Sequence, residues 1–252
     1  LAILNFESAN RRLPTGGQGS DFSVTPPATI FGLHSTFTEI LPFIEEAALA
    51  DGMDLEVAYN LSPENIATSQ NSVSGFICPS NSLRPSPIDS EGFGSVDYAP
   101  VYYTDIDPET GLKNSSTRAE GAFGVGGTKI RQVRDGMSKT VAFVEDVGRN
   151  ETMSTGYLDA QGEPRAFWRW AEPDAAIGVS KPINNSSNPF GGPANCPWVS
   201  NNCGPNDEVF SFHPGGAHFS FLDGHVEFSD EGLDTRAMRK LVTRDGGEVI
   251  DP

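Results

Sequence analysis

The sequence reads as a mixture of helices and strands compatible with an α+β fold, and three observations carry that reading. Apolar residues recur at helical spacing within the first fifty positions. A β-rich run, Thr140-Val141-Ala142-Phe143-Val144-Glu145, lies in mid-chain. Two further β-rich runs near the C terminus flank Asp223-Gly224, the strongest short hairpin signal. With 252 residues and a hydrophobic share of 37%, the chain can bury a sizeable core as one large domain or two small ones. Its 27 Gly and 19 Pro exceed the usual share and predict long, turn-rich connections.

In chain order, residues 1–13 read as a helix with apolar positions Leu1, Leu4 and Ala9, stopped by Pro14-Thr15-Gly16-Gly17. Residues 14–29 read as a Gly/Pro loop. A second helix is expected from Leu33 to Ala50 on the spacing Phe37, Leu41, Ile44 and Ala48, with Pro42 either kinking it or marking its first turn. Ser62-Pro63-Glu64-Asn65 is a helix start: a capping Ser, Pro in the first turn, then an acid. Gly75 to Pro79 is a short strand or an extended stop. Val96 to Tyr103 is the best strand within the irregular stretch 80–127, and Thr128 caps a short helix from Lys129 to Arg134.

Thr140 to Glu145 is expected to be a central strand. Residues 147–207, which hold all three Trp, two of the Cys and many Asn and Pro, read as an irregular insertion. In the terminal hairpin a two-residue turn would set Leu222 opposite His225, Phe221 beside Val226 and Phe219 beside Phe228. The phenylalanines would face the core, with His218, Ser220, His225 and Glu227 on the other side. A capped helix from Asp234 to Val242 follows, with Arg236, Arg239 and Lys240 on its wet face.

The charge excludes some functions. Thirty-four acidic against 17 basic residues give a net charge of −17, with no basic run longer than Arg11-Arg12 or Arg239-Lys240. Such a field repels phosphate backbones and anionic lipid, so nucleic acid is not an expected partner, while divalent cations can be recruited. No stretch is apolar enough to span a membrane. The chain opens on Leu1-Ala2-Ile3-Leu4-Asn5-Phe6 without Met, as if in mid-helix, and the expectation is that a hydrophobic segment precedes it. Cys196 and Cys203 bracket a six-residue loop whose spacing suits a disulfide hairpin better than a zinc pair, which implies an oxidising compartment. Cys78 is left over, either as a small buried hydrophobe or as half of a pair whose partner lies upstream.

Several groups could carry chemistry. His213, His218, Asp223 and His225 place three of the four His of the chain beside an Asp, which would suit a transition metal, although Asp223 is also explained by turn chemistry. Asp105, Asp107 and Glu109 before Gly111 resemble the start of an oxygen-ligand loop, which makes Ca²⁺ the one candidate cofactor. Trp168, Trp170 and Trp198 could stack on sugars or could be core. Nucleophile elbows, Ser-x-x-Lys, phosphate-cradling loops and dinucleotide fingerprints are absent from the sequence.

Four ordered blocks resemble a known family. They are Phe76-Ile77-Cys78-Pro79-Ser80; Ile130 to Glu145, with Asp135-Gly136, Ser138, Thr140 and Glu145; Phe212-His213-Pro214-Gly215-Gly216-Ala217-His218 with Asp223-Gly224 closing a His-x9-Asp-Gly motif; and Thr243 to Val249. Together they are similar to planctomycete-type prepilin-like proteins that carry a domain of unknown function. Lys139 stands where that family usually has Asn, His225 replaces a small polar residue, and 147–207 matches least.

The resemblance implies a single pilin-like α+β domain over residues 1–252, with a truncated N-terminal helix laid on an antiparallel sheet. It implies a membrane-anchoring helix upstream of Leu1, possession of a leader removed by prepilin processing, and a bacterial, extracytoplasmic location. It also implies an upstream Cys as a natural partner for Cys78. The expected function is a non-enzymatic pilin or pseudopilin subunit of a type IV pilus or type II secretion system. Its partners would be copies of itself or other pilin-like subunits, with membrane contact only through the upstream helix. His213, Asp223 and Gly224 would then be structural. A glycan-binding module on the same scaffold and a metal-dependent hydrolase using the His/Asp group are the competing expectations.

Overall fold

Helix α1 (Ala2–Asn10) ends at Arg11, whose left-handed backbone (φ 59) turns the chain out and whose N–H bonds the Glu7 carbonyl. In the computed structural model, which describes residues 1–81, 84–153, 155–184 and 207–247, α1 buries Ile3 and Phe6. The apolar spacing had pointed to a different stripe; Leu1 is 89% exposed. The Phe6 ring meets Phe43 edge to face at 5.6 Å, so the helix packs chiefly on the segment after α2 rather than lying along the sheet.

The loop expected at 14–29 contains a hairpin, β1 (Gln18–Asp21) paired antiparallel with β2 (Ala28–Phe31). The single helix expected at 33–50 is broken. Helix α2 (Thr36–Ile40), capped by Ser35, runs into a 3-10 turn at Leu41–Phe43, and α3 (Ala47–Asp51) starts afresh beyond Glu45, which sits at φ 67. Pro42 has no N–H to continue the α ladder, and it takes the first turn of the 3-10 segment, where no donor is needed. Helix α4 (Pro63–Ser69) begins as its capping sequence predicts, with Ser62 Oγ accepting the Asn65 N–H at 3.1 Å. Where a short strand or an extended stop is expected from Gly75 to Pro79, a 3-10 turn spans Ser74–Phe76 and the chain extends at Ile77.

The main sheet runs β4-β3-β5-β7-β8, with β6 added parallel to β3. Its strands are β3 (Tyr98–Thr104), β4 (Ala119–Glu120), β5 (Val141–Glu145), β6 (Ile177–Val179), β7 (Gly216–Phe221) and β8 (Val226–Asp230). The apolar run 141–144 occupies the middle, antiparallel to both β3 and β7, as expected of a strand buried on both faces. β6 lies within 147–207, so that segment is not wholly an irregular insertion. Three residues are too few to show a period, but Ile177 and Val179 are fully buried. Among the described residues no helix is long and apolar enough to cross a membrane.

The terminal hairpin forms with its register shifted by one residue. Phe221 and His225 close the turn around Leu222-Asp223-Gly224, and His218 lies opposite Phe228. Gly224 takes φ 93, the left-handed position that a three-residue turn demands and glycine supplies without strain. A one-residue slip exchanges faces. Phe219 and Phe221 remain in the core, whereas Phe228 moves to the side of His218 and is 49% exposed.

Two apolar layers cover the sheet. Phe37, Leu41, Phe76, Tyr102, Ala142 and Leu222 pack between the N-terminal helices and one face. Val101, Val144, Ile177 and Phe219 pack on the other against Met238 and Val242 of helix α5 (Thr235–Val242). Asp234 caps α5 by accepting the Arg236 N–H. Arg239, expected on the wet face, is buried and donates to the carbonyls of Ile106 and Thr117.

Likewise the short helix expected at 129–134 is a 3-10 turn over Ile130–Gln132, entered at Lys129. The Thr128 hydroxyl, expected to cap it, instead accepts from Arg244 at 3.2 Å.

Candidate functional site

Three segments distant in sequence meet at the last residue of β5. Glu145 is buried and its two carboxylate oxygens serve different partners. Oε2 accepts the backbone N–H of His218 at 2.7 Å and lies 3.3 Å from His218 Nδ1. Oε1 lies 3.2 Å from His213 Nε2 and 3.9 Å from the Cys78 sulfur. The two imidazoles stand edge to face with centroids 4.7 Å apart.

Local sequence explains each placement. Glu145 closes the run Val141-Ala142-Phe143-Val144, where the β5–β7 ladder gives out after Val144 and Phe219. His218 points to this side because β7 alternates, sending Ala217, Phe219 and Phe221 into the opposite core. The His213 N–H bonds Ser211 Oγ at 2.9 Å, and Gly215 (φ 82) completes the turn before β7.

Cys78 follows the Ser74–Phe76 turn and is buried as a free thiol, 2.9 Å from Ser80 Oγ. Its N–H bonds Asp97 Oδ2 at 3.0 Å. Asp97 is itself fully buried and also accepts from Arg84 at 2.6 Å and from the Gly148 N–H at 3.0 Å. Burial, reinforced by Cys78 beside it, pushes the Tyr98 phenol above its ordinary range. Cys78, Tyr98, Glu145, His213 and His218 line a cleft of about 350 Å³ that also takes in Phe143 and Val226. Among the described residues, Cys78, Glu145 and His213 are the three metal-ligating side chains whose donor atoms all lie within 4.8 Å of one another.

The four-residue group read from the sequence divides in two. His213 and His218 share Glu145, but Asp223 and His225 sit at the hairpin turn. There Asp223 Oδ1 accepts the His225 N–H at 3.1 Å and lies 2.5 Å from its Nδ1, which holds the carboxyl below its usual range. The His225 ring stacks on Phe221 at 4.3 Å. Three residues of strand, Phe219 to Phe221, at about 3.3 Å each, separate His218 from that turn. Asp223 and His225 therefore form a pair of their own.

The acidic loop also distributes its groups. Asp105 is buried and bonded to Arg118 through both oxygens, at 2.8 and 3.0 Å, with Ser115 at 3.1 Å. Asp107 caps its own turn, accepting the Thr110 and Glu109 N–H groups and Asn114 Nδ2, and these bonds hold its carboxyl at about 2. Glu109 is exposed. Asp105, Asp107 and Glu109 therefore serve separate local contacts.

Trp168 and Trp170 are core residues. Their indole N–H groups bond Asp89 at 3.0 Å and the Asn71 carbonyl at 2.9 Å, so neither ring presents a face for a sugar. Trp198, Cys196 and Cys203 lie outside the described residues.

In the sequence Cys78 and Glu145 stand in separate blocks, with no local pattern that joins them. A lone carboxylate ending an apolar central strand was the available signal for Glu145. Asp97, inside the strand expected at 96–103, gave none.

A family model described as protein of unknown function (DUF1559) matches residues 1–236. No curated protein and no solved structure matches the chain.

Proposed function

We propose that this chain, which belongs to the family described as protein of unknown function (DUF1559), is a non-enzymatic, pilin-like subunit of an extracytoplasmic filament or secretion assembly. The observation that carries this reading is what the four sequence blocks do with one another. Cys78 of the first block and His213 of the third both meet Glu145 of the second. The Leu222 and Asp223 N–H groups bond the carbonyls of Thr140 and Met137. Asp135 accepts the Gly246 and Gly247 N–H groups at 2.7 and 2.9 Å, while the Arg134 N–H bonds the Arg244 carbonyl.

Motif residues that brace one another in this way are a scaffold's, and Asp223 and Gly224 are accounted for by the turn they build. The mixed α+β core agrees coarsely with a pilin-like head. Its partners would be further copies or other pilin-like subunits, joined through a hydrophobic helix ahead of Leu1.

The test is the coding sequence upstream of Leu1, followed by cross-linking in the native cell. A basic leader, a processing site and about twenty apolar residues, with cross-links to like subunits, are the expected result. An ordinary secretion signal, or a start without such a helix, overturns the reading.

A further inference from the structure

We infer that Cys78, Glu145 and His213 form a binding site for a divalent transition metal of the zinc class, steadied by His218. The inference goes beyond the subunit reading and does not depend on it.

The donor set selects the ion class. A sulfur, an imidazole nitrogen and a carboxylate oxygen suit zinc and its neighbours, whereas Ca²⁺ and Mg²⁺ take oxygen almost exclusively. The spacing fits as well. Metal–ligand bonds of about 2.0–2.3 Å in a tetrahedron place neighbouring ligand atoms about 3.3–3.8 Å apart. Glu145 Oε1 lies 3.2 Å from His213 Nε2 and 3.9 Å from Cys78 Sγ, which bracket that edge.

The ligands are also held in place. Asp97 fixes the Cys78 backbone, and the His218 N–H and ring hold the second oxygen of Glu145. Such outer contacts orient a ligating carboxylate and tune its hold on the ion. Metal binding would displace the thiol proton, and a dication between the sulfur and the carboxylate would balance the charge that this leaves. The three residues leave a fourth position, and the His213 side chain, 32% exposed, marks the open side where the cleft admits water or a small ligand.

The experiment uses the full chain, reduced and stripped of metal, titrated with Co²⁺. Cys196→Ser and Cys203→Ser are introduced together so that Cys78 is the sole thiol. The expected result is one Co²⁺ per chain, with the visible bands of a four-coordinate ion and a thiolate-to-cobalt charge-transfer band, both displaced by Zn²⁺. Cys78→Ser abolishes the charge-transfer band, and His213→Asn weakens binding at least tenfold. His218→Asn, which removes the ring beside His213 and the other Glu145 oxygen, weakens it by about 10–100-fold.

Circular dichroism and melting of each metal-free variant separate lost binding from lost folding. Three results would overturn the inference: no stoichiometric Co²⁺ uptake, a charge-transfer band that survives Cys78→Ser, or peptide mapping that finds Cys78 in a disulfide in the chain as isolated from its native cell.

Discussion

The Glu145 carboxylate accepts the backbone N–H of His218 at 2.7 Å, so a side chain continues the β5–β7 ladder where backbone pairing ends. The Glu145 carbonyl meanwhile bonds the Phe210 N–H at 3.0 Å. Removing the carboxylate leaves the His218 N–H without its acceptor, which costs about 1–3 kcal/mol. Glu145→Ala should therefore shift the urea midpoint by that amount, and Glu145→Gln, which keeps an oxygen there, by less. Equal shifts for the two variants would remove this role.

Arg149 and Asp146 are both fully buried, 3.3 Å apart, and Arg149 also donates to the carbonyls of Ala175 and Tyr98. Arg149→Met would strand the acid and two carbonyls in the interior. Leaving two buried carbonyls without their donor costs about 1–3 kcal/mol each, and burial already pushes the Asp146 carboxyl well above its ordinary range against the pull of Arg149. Chemical denaturation should show that loss, partly recovered in the double variant with Asp146→Asn. A cost below about 1 kcal/mol, the range of an exposed pair, would contradict the burial.

The hairpin turn makes a third case. Gly224 holds φ 93, so Gly224→Ala should lower stability by about 1 kcal/mol. Asp223→Ala removes the acceptor of the His225 N–H and should lower the melting temperature too. Unchanged melting in both variants would deny the turn a structural role.

Asp174 predicts a pH effect. Burial first, then the charges of Asp207 and Glu172, push its carboxyl well above the ordinary range, against the pull of Arg165. The native state therefore keeps a proton that the unfolded chain gives up at about pH 3.9. The stability this contributes is complete below that value and is lost as pH rises through the higher native one. Asp174→Asn cannot ionise and keeps an oxygen for Gln18 Nε2, now 2.7 Å from Oδ1. It should melt above the parent at pH 8 and converge with it near pH 4. A constant difference across that window would sink the assignment.

What was legible in the sequence was written locally. Ser62-Pro63 starts α4, Asp234 caps α5, and the β-rich run at 141–145 lies at the centre of the sheet. The break at Glu45 was hidden because Phe37, Leu41, Ile44 and Ala48 keep helical spacing straight through it. β1 is polar and Gly-bearing, and β2 and β6, of four and three residues, are too short to show alternation. The hairpin was visible but its register was not, since Asp-Gly fits both a two-residue turn and the last two places of a three-residue one. The candidate site depends on contacts made 67 and 73 residues apart, from Cys78 and His218 to Glu145, and no local pattern encodes such an approach.

The position of β5 between β3 and β7 also sets a timetable for synthesis. As β5 leaves the ribosome, β3 is already available, but its other neighbour has yet to be made. The intervening stretch of about 70 residues takes roughly 4–14 s to translate. During that interval the apolar edge Val141–Val144 has no strand to pair with and is open to chaperones or to other nascent chains. A pause or truncation before Gly216 would prolong that exposure, so slow codons between residues 146 and 215 should lower the soluble yield more than the same codons placed after residue 230.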